Sequence, residues 1–144
     1  MDYRELALEF MKKMFALNKA RPQRQFQESM QGETVVLQYL SDHEDSVLPS
    51  EISAFMGISS ARIAATLNSL EKKEFITRRI DLSDRRRILV EITPKGRALA
   101  GELKADILEN TSKMLAFLGE HDAREYIRIT GRMAEFASEL TDRK

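Results

Sequence analysis

Arginines crowd one short stretch of this sequence. Arg78 and Arg79 precede Ile80-Asp81-Leu82-Ser83-Asp84, and Arg85, Arg86 and Arg87 follow before the apolar run Ile88-Leu89-Val90. A guanidinium is always charged and carries its donors in a planar fork, so its natural targets are phosphate oxygens and guanine edges. Upstream, Ser59, Ser60, Arg62, Asn68 and Ser69 fall in a segment with helical periodicity. Their hydroxyl, amide and guanidinium groups suit phosphate or base-edge contacts. A helix pair followed by an arginine-tipped β-ribbon has the means to grip duplex DNA. In such an arrangement the helix can lie in the major groove while the ribbon tip reaches the backbone or the adjacent minor groove.

The elements that must position these groups follow from pattern and punctuation. Residues 2–18 read as a helix opened by Asp2, with stripes of Leu6, Phe10, Met14 and Leu17 and of Leu8, Met11 and Phe15. Residues 19–28, with a proline and several polar residues, interrupt the pattern. A second helix is predicted over 31–40, burying Val35, Val36, Tyr39 and Leu40, then a polar loop over 41–47. Pro49-Ser50 begins a short helix, Glu51 to Met56, that Gly57 stops. Ser59 or Ser60 caps the next, which runs to about Lys73. Projection at 100° per residue puts Ile63, Leu67 and Leu70 on its core side. Ala61, Ala65, Asn68 and Lys72 lie opposite, flanked by Arg62 and Ser69.

Two strands are expected at 76–81 and 87–93, the second alternating Ile88, Val90 and Ile92, with Leu82 to Arg86 as the turn. Thr93-Pro94 starts a long helix to about Leu118, Gly119 ends it, and Asp122 caps a last helix to about Leu140. The order is α-α-α-α-β-β-α-α. The helices at the two chain ends carry wide apolar faces with no monomeric core to cover. The economical solution is that they pack together across a two-fold axis.

Bulk properties narrow the function classes. At 144 residues the chain suits one domain, and 42% hydrophobic with 32% charged residues describes a soluble globular protein. No apolar run is long enough for a membrane span, and the N-terminus shows no secretory signal. Without cysteine there is no disulfide, thiolate metal site or thiol redox sensor, and a cytoplasmic location is expected. Net charge is zero, which argues against a general nucleic-acid coat. Between Arg62 and Arg97, however, ten Lys/Arg against five Asp/Glu leave +5, balanced by −5 elsewhere. A basic patch on an acidic body suits a selective DNA binder.

Several segments together carry a family resemblance. Ser50-Glu51-Ile52-Ser53-Ala54-Phe55-Met56-Gly57-Ile58-Ser59-Ser60-Ala61-Arg62-Ile63 is followed by Leu70-Glu71-Lys72-Lys73-Glu74-Phe75-Ile76-Thr77-Arg78. Then come Asp84-Arg85-Arg86 and Val90-Glu91-Ile92-Thr93-Pro94-Lys95-Gly96. This pattern closely resembles the MarR family of bacterial transcription regulators. The resemblance implies a mainly α fold with a small β-wing: a winged helix-turn-helix lobe over about residues 30–94, within a single domain of 1–144. The helices over about 2–18 and 95–141 would form a dimerisation lobe. It implies a homodimeric regulator, expected to be a repressor, that binds a pseudo-palindromic operator in double-stranded DNA. A cleft for a small-molecule effector is usual, although no residue here names the ligand. Ser59 to Ser69 would be the recognition helix and Arg86 the wing-tip arginine aimed at the minor groove. Asp84 would brace it, and Arg78 would contact phosphate, with Arg85 and Arg87 beside them. One departure is Glu74, where the family usually has glycine. A left-handed turn there strains a glutamate by roughly 1 kcal/mol, so a slightly reshaped turn is expected.

Blander readings compete at each point. The arginine triplet is, in an arbitrary protein, a solvated hairpin turn; its place after a helix pair in the +5 window favours DNA. Arg62 reads guanine, anchors phosphate or is a surface charge. Asp42-His43-Glu44-Asp45 lacks the i, i+4 spacing that lines up metal ligands and reads as a solvated loop, so neither metal nor cofactor is expected. His121 reads as merely polar. Phe10, Phe15, Phe26 and the methionines line either an effector pocket or, more commonly, a core. No Ser/His/Asp set, glycine-rich phosphate loop or histidine metal pair supports an enzyme. A winged helix that binds protein instead of DNA is the remaining alternative.

Overall fold

The computed structural model describes residues 2–19 and 24–142, with the side chains of residues 18 and 24–31 outside the description. Its elements are α1 (Tyr3–Lys19), α2 (Arg24–Asp42), α3 (Pro49–Met56), α4 (Ser60–Lys72), β1 (Ile76–Ile80), β2 (Ile88–Ile92), α5 (Pro94–Leu118) and α6 (Glu120–Asp142). The order matches the pattern reading, while several bounds do not. α2 begins at Arg24, so the polar run after the proline is helical where helix interruption was expected; residues 20–23 lie outside the described residues. α6 begins at Glu120, which puts Asp122 in its first turn instead of at its cap.

Local chemistry explains the boundaries near the site. The Asp2 carboxylate accepts the Arg4 amide at 2.8 Å and caps α1. Pro49 opens α3, where its missing N–H costs nothing, and Gly57 ends it at φ 65°, a left-handed conformation that glycine adopts freely. The Ser53 hydroxyl donates to the Ile58 carbonyl at 2.7 Å and closes the turn into α4. Of the two candidate caps, Ser59 is the one that acts, its hydroxyl accepting the Arg62 amide at 3.3 Å.

The chain divides into two compact units, Met1–Arg97 and Ala98–Lys144. The core of the first gathers Val36, Leu37 and Leu40 of α2, Ile52 of α3, Ile63, Leu67 and Leu70 of α4, Ile76 of β1 and Val90 of β2. The α4 triad is as projected. On α2 the buried face is rotated: Leu37 is inside, while Val35 is exposed and Tyr39 only half-buried. The strands pair antiparallel in the register Ile76↔Ile92, Arg78↔Val90 and Ile80↔Ile88. Only Val90 of the expected alternating trio is fully buried; Ile88, near the free end of the ribbon, is exposed. Val47, expected in a polar loop, is buried and exchanges both backbone hydrogen bonds with Val90 at 2.8 and 3.0 Å, adding a bridge to the two-stranded sheet.

The apolar faces at the chain ends are open. On α1, Leu6, Phe10 and Met14 are exposed, with Phe15 at 68%. On α5 and α6, Leu108, Met114, Tyr126, Ile129, Met133 and Leu140 are exposed, Phe117 reaches 89% and Phe136 61%. Isolated exposed apolar residues are ordinary; rows of them along helices are what a helical partner covers.

The turn after α4 keeps its left-handed shape despite the glutamate. Glu74 has φ 67°, the only positive φ at a non-glycine among the described residues. The Phe75 amide donates to the Leu70 carbonyl at 3.0 Å across it, as in a helix end built for glycine. The expected reshaping does not occur, and the strain is borne in place. Glu74→Gly is therefore expected to raise stability by about 0.5 kcal/mol. Relief of about 1–2 kcal/mol of left-handed strain outweighs about 0.4–1 kcal/mol of added unfolded-state freedom. A urea titration with a lowered midpoint would show instead that the exposed Glu74–Lys95 contact, 3.9 Å long, outweighs the strain.

Candidate nucleic-acid interface

The first unit presents α4 and the wing, two elements whose outward side chains are mostly polar. Ser60, Ala61, Arg62, Ala65, Asn68 and Lys72 are all exposed on α4. Small residues at 61 and 65 leave room for a groove edge to approach, and Arg62 stands in the first helical turn. Among the described residues, the Arg62, Lys72 and Arg85 side chains form no hydrogen bond or ion pair. Their charges are available to an outside anion. Ser69 is placed differently. Its hydroxyl donates to Glu33 of α2 at 2.5 Å, and Lys73 reaches the same carboxylate at 2.9 Å. It is half-buried, faces α2, and belongs to the clamp between the two helices.

The wing tip is a tight turn made by its own acids. The Arg87 amide donates to the Asp84 carbonyl at 2.9 Å, so Asp84-Arg85-Arg86-Arg87 forms a four-residue turn with Arg85 and Arg86 at its apex. The Asp84 carboxylate accepts the Arg86 amide at 3.2 Å and its Nε at 3.1 Å, a side chain folding back onto its own turn. Asp81 repeats the device on the entry side, accepting the Ser83 amide at 2.9 Å and hydroxyl at 2.7 Å, with Arg87 Nε 3.7 Å away. Hydrogen bonds from the Arg86 side chain and backbone hold the Asp84 carboxyl below the ordinary carboxylate range, and those from Ser83 do the same for Asp81. The Arg86 side chain is 90% exposed. One edge of its guanidinium is held by Asp84 while the rest stays in solvent.

Arg78 lies in the middle of β1 and is committed inside the protein. Its Nε and NH2 groups donate to the two Glu71 oxygens at 3.1 Å each, and NH2 also reaches Asn68 Oδ1 at 2.7 Å. The Arg78 hydrogen bond lowers the Glu71 carboxyl pKa, and reciprocally the guanidinium's is raised. This network ties α4 to the wing. Arg79, next to the end of β1, pairs with Glu91 across the ribbon at 2.9 Å.

A groove of about 560 Å³ is lined by residues of α3, α4 and the wing, among them Ala54, Ile58, Ile63, Leu67, Ile88 and Arg78. On the α2 side, His43 is engaged by Tyr39, through a 2.5 Å contact between Nδ1 and the carbonyl and a ring stack at 4.1 Å. Among the described residues no group of three His, Asp or Glu is arranged to hold a metal. Phe10 and Phe15 are exposed, and the Phe26 side chain lies outside the described residues.

Helix pair, recognition-type helix and braced wing together are matched by the winged helix DNA-binding domain family over residues 33–111, more than half of the chain. The crystal structure of MarR superposes on 78% of this chain and 76% of its own, with a TM-score of 0.64 and 26% identity. The chain belongs to the MarR family of winged-helix regulators. Among curated relatives, the HTH-type transcriptional repressor YetL of Bacillus subtilis (strain 168) is 24% identical over 113 residues, spanning 78% of this chain and 68% of YetL. The fold also matches Streptococcus pneumoniae FabT in complex with DNA, with a TM-score of 0.71 and 19% identity, over 96% of this chain and 99% of that one. This MarR-family protein is therefore a winged-helix DNA-binding transcription regulator. Among its described residues no helix is long and apolar enough to cross a membrane.

The groups that sequence reasoning missed are the acids. Glu71, Glu33, Asp81 and Glu91 each hold a cation of the basic stretch. Only a near-neighbour pair such as Asp84–Arg86 was open to inspection in one dimension.

Proposed function

We propose that this MarR-family regulator acts as a homodimeric, sequence-specific repressor on a pseudo-palindromic operator in the cytoplasm. The observation that carries the reading is the pairing of an open α4 face with a wing tip where Arg86 is held but solvent-facing and Arg85 is exposed beside it. Each protomer places α4 in a major groove, with half-sites about one helical turn apart, roughly 34–36 Å. Ser59 and Ser60 approach phosphate at the helix start, and Arg62 contacts a base or the adjacent backbone. Asn68 faces the groove. Arg85 and Arg86 reach the minor groove, where narrow tracts concentrate negative potential, and Arg87 supports them from the strand end. Arg78 contributes mainly as a strut, and Ser69 has its hydroxyl engaged by Glu33.

The open apolar rows of α1, α5 and α6 support the dimer: residues of about 2–18 and 95–141 cover one another across the two-fold axis. A small-molecule effector acts by preferring one separation of the two recognition helices, which is all a population shift requires. The groove beside α3, α4 and Arg78 is one place from which an apolar ligand touches both reading elements.

The test is selection of bound fragments from the source genome, followed by titration of one fragment across salt alongside sedimentation of the free protein. A dimer that loses affinity steeply is expected, with log K falling by about 0.9 per phosphate neutralised for each unit of log salt. Salt-independent or absent binding would favour the protein-interaction use of the fold. A monomer that binds equally well would remove the two-fold operator.

A further inference from the structure

Asn68 is the only amide side chain on α4, and it sits on the exposed face. An asparagine free to rotate suits adenine: it accepts from N6–H with its oxygen and donates to N7 with its nitrogen. Here the amide is not free. Arg78 NH2 lies 2.7 Å from it, and because a guanidinium has no acceptor, the atom it meets must be the oxygen. The orientation of the amide is thus set by chemistry, and does not rest on telling nitrogen from oxygen. Arg78 is itself immobilised by the two parallel bonds to Glu71 at 3.1 Å, a forked geometry that fixes the guanidinium plane. Both partners belong to rigid elements, Glu71 one turn along α4 and Arg78 within β1.

We propose that the Glu71–Arg78 pair engages the Asn68 oxygen and leaves Asn68 to read chiefly as a donor, which favours a keto base, guanine or thymine, over an amino base, adenine or cytosine. The inference rests on α4 being the helix that enters the major groove. Guanine offers O6 and N7 there and thymine offers O4, all acceptors for the Asn68 N–H groups. Cytosine puts an amino group at the corresponding place, donor against donor, and adenine does the same beside its N7, so the discrimination lies at the exocyclic group. Glu71 touches no DNA in this scheme. It is a positioning residue whose effect appears in base preference.

Randomised half-sites, bound by the full-length protein and read by sequencing, test this directly. Wild type is expected to show one position per half-site where G or T is preferred over A or C by about fivefold or more. Asn68→Ala should flatten that position while leaving the others. Asn68→Asp keeps a partner for Arg78 but offers only acceptors, so the same position should turn to an amino base, by a similar factor. Glu71→Gln should relax the preference toward adenine without moving any other position, which a merely structural role would not do. Because preference is a ratio within one protein sample, a modest loss of stability does not obscure it. An Asn68-dependent adenine preference in wild type would overturn the proposal, as would an unchanged profile for Asn68→Ala or no inversion for Asn68→Asp. Failure of wild type to bind any sequence would overturn the α4 reading as well.

Discussion

Replacing Gly96 by alanine is expected to cost about 3 kcal/mol of stability, at the upper end of what overpacking costs. A Cβ built at Gly96 overlaps the Phe75 carbonyl oxygen and stands 2.9 Å from both the Phe75 carbonyl carbon and Ile92 Cγ1. A flexible side chain would move aside, but this obstacle is backbone held on both sides. The Phe75 carbonyl accepts the Thr93 amide at 3.0 Å, and its own amide donates to Leu70 at 3.0 Å. Next door, Ile76 is 1% exposed and part of the core. The same spot joins three elements, since the Thr93 hydroxyl donates to the Glu74 carbonyl at 2.8 Å and accepts the Gly96 amide at 3.0 Å. Relief of the clash must therefore shift the end of α4, the end of β2 or the first turn of α5. Urea unfolding gives the measurement. A midpoint within error of wild type would show that the junction yields.

Arg86→Ala is expected to weaken operator binding tenfold or more while leaving the unfolding midpoint nearly unchanged. The two outcomes separate because the side chain is 90% exposed and its ion pair to Asp84 spans only two residues. A surface pair of this kind contributes roughly 0–1 kcal/mol to folding. At a narrow minor groove the same charge meets a concentrated negative potential. The salt dependence should fall by about one unit of slope for each arginine lost, or about two per dimer. Gel-shift titration at two or more salt concentrations measures both. Unchanged affinity would remove Arg86 from the interface and leave Arg85, at the adjacent apex position, as the minor-groove residue.

The residues that were legible in one dimension are those whose partners are close in sequence or whose burial follows a period. Ile63, Leu67 and Leu70 recur at helical spacing and are buried, and Asp84 braces Arg86 two residues away. Gly57 sits at the predicted helix stop with the expected left-handed φ. What was hidden depends on the third dimension. Val47 is buried because it pairs with Val90 across forty-odd residues, which no local pattern records. Ser69 reads as a groove-flanking hydroxyl until Glu33 of α2 is seen beside it. Arg78 reads as a phosphate contact until Glu71 and Asn68 close around it. The early start of α2 escaped because Phe26 and Met30 are the only apolar residues in a polar run after the proline, too sparse a stripe to stand out.

The wing arginines meet resident anions: Arg78, Arg79, Arg86 and Arg87 each face a carboxylate, from Glu71 of α4 and from Glu91, Asp84 and Asp81 of the wing. Each of these acids is a resident rival to any phosphate that arrives. On an arbitrary duplex, a phosphate gains contact only by displacing an attraction already made, and fewer counterions leave for each arginine engaged. On the proposed interface, Arg62, Lys72 and Arg85 would give the initial hold, too few to detain the protein where bases do not match. The consequence is kinetic. Brief stays on wrong sequence would shorten the time spent searching a genome, with long ones reserved for sites that repay the exchange.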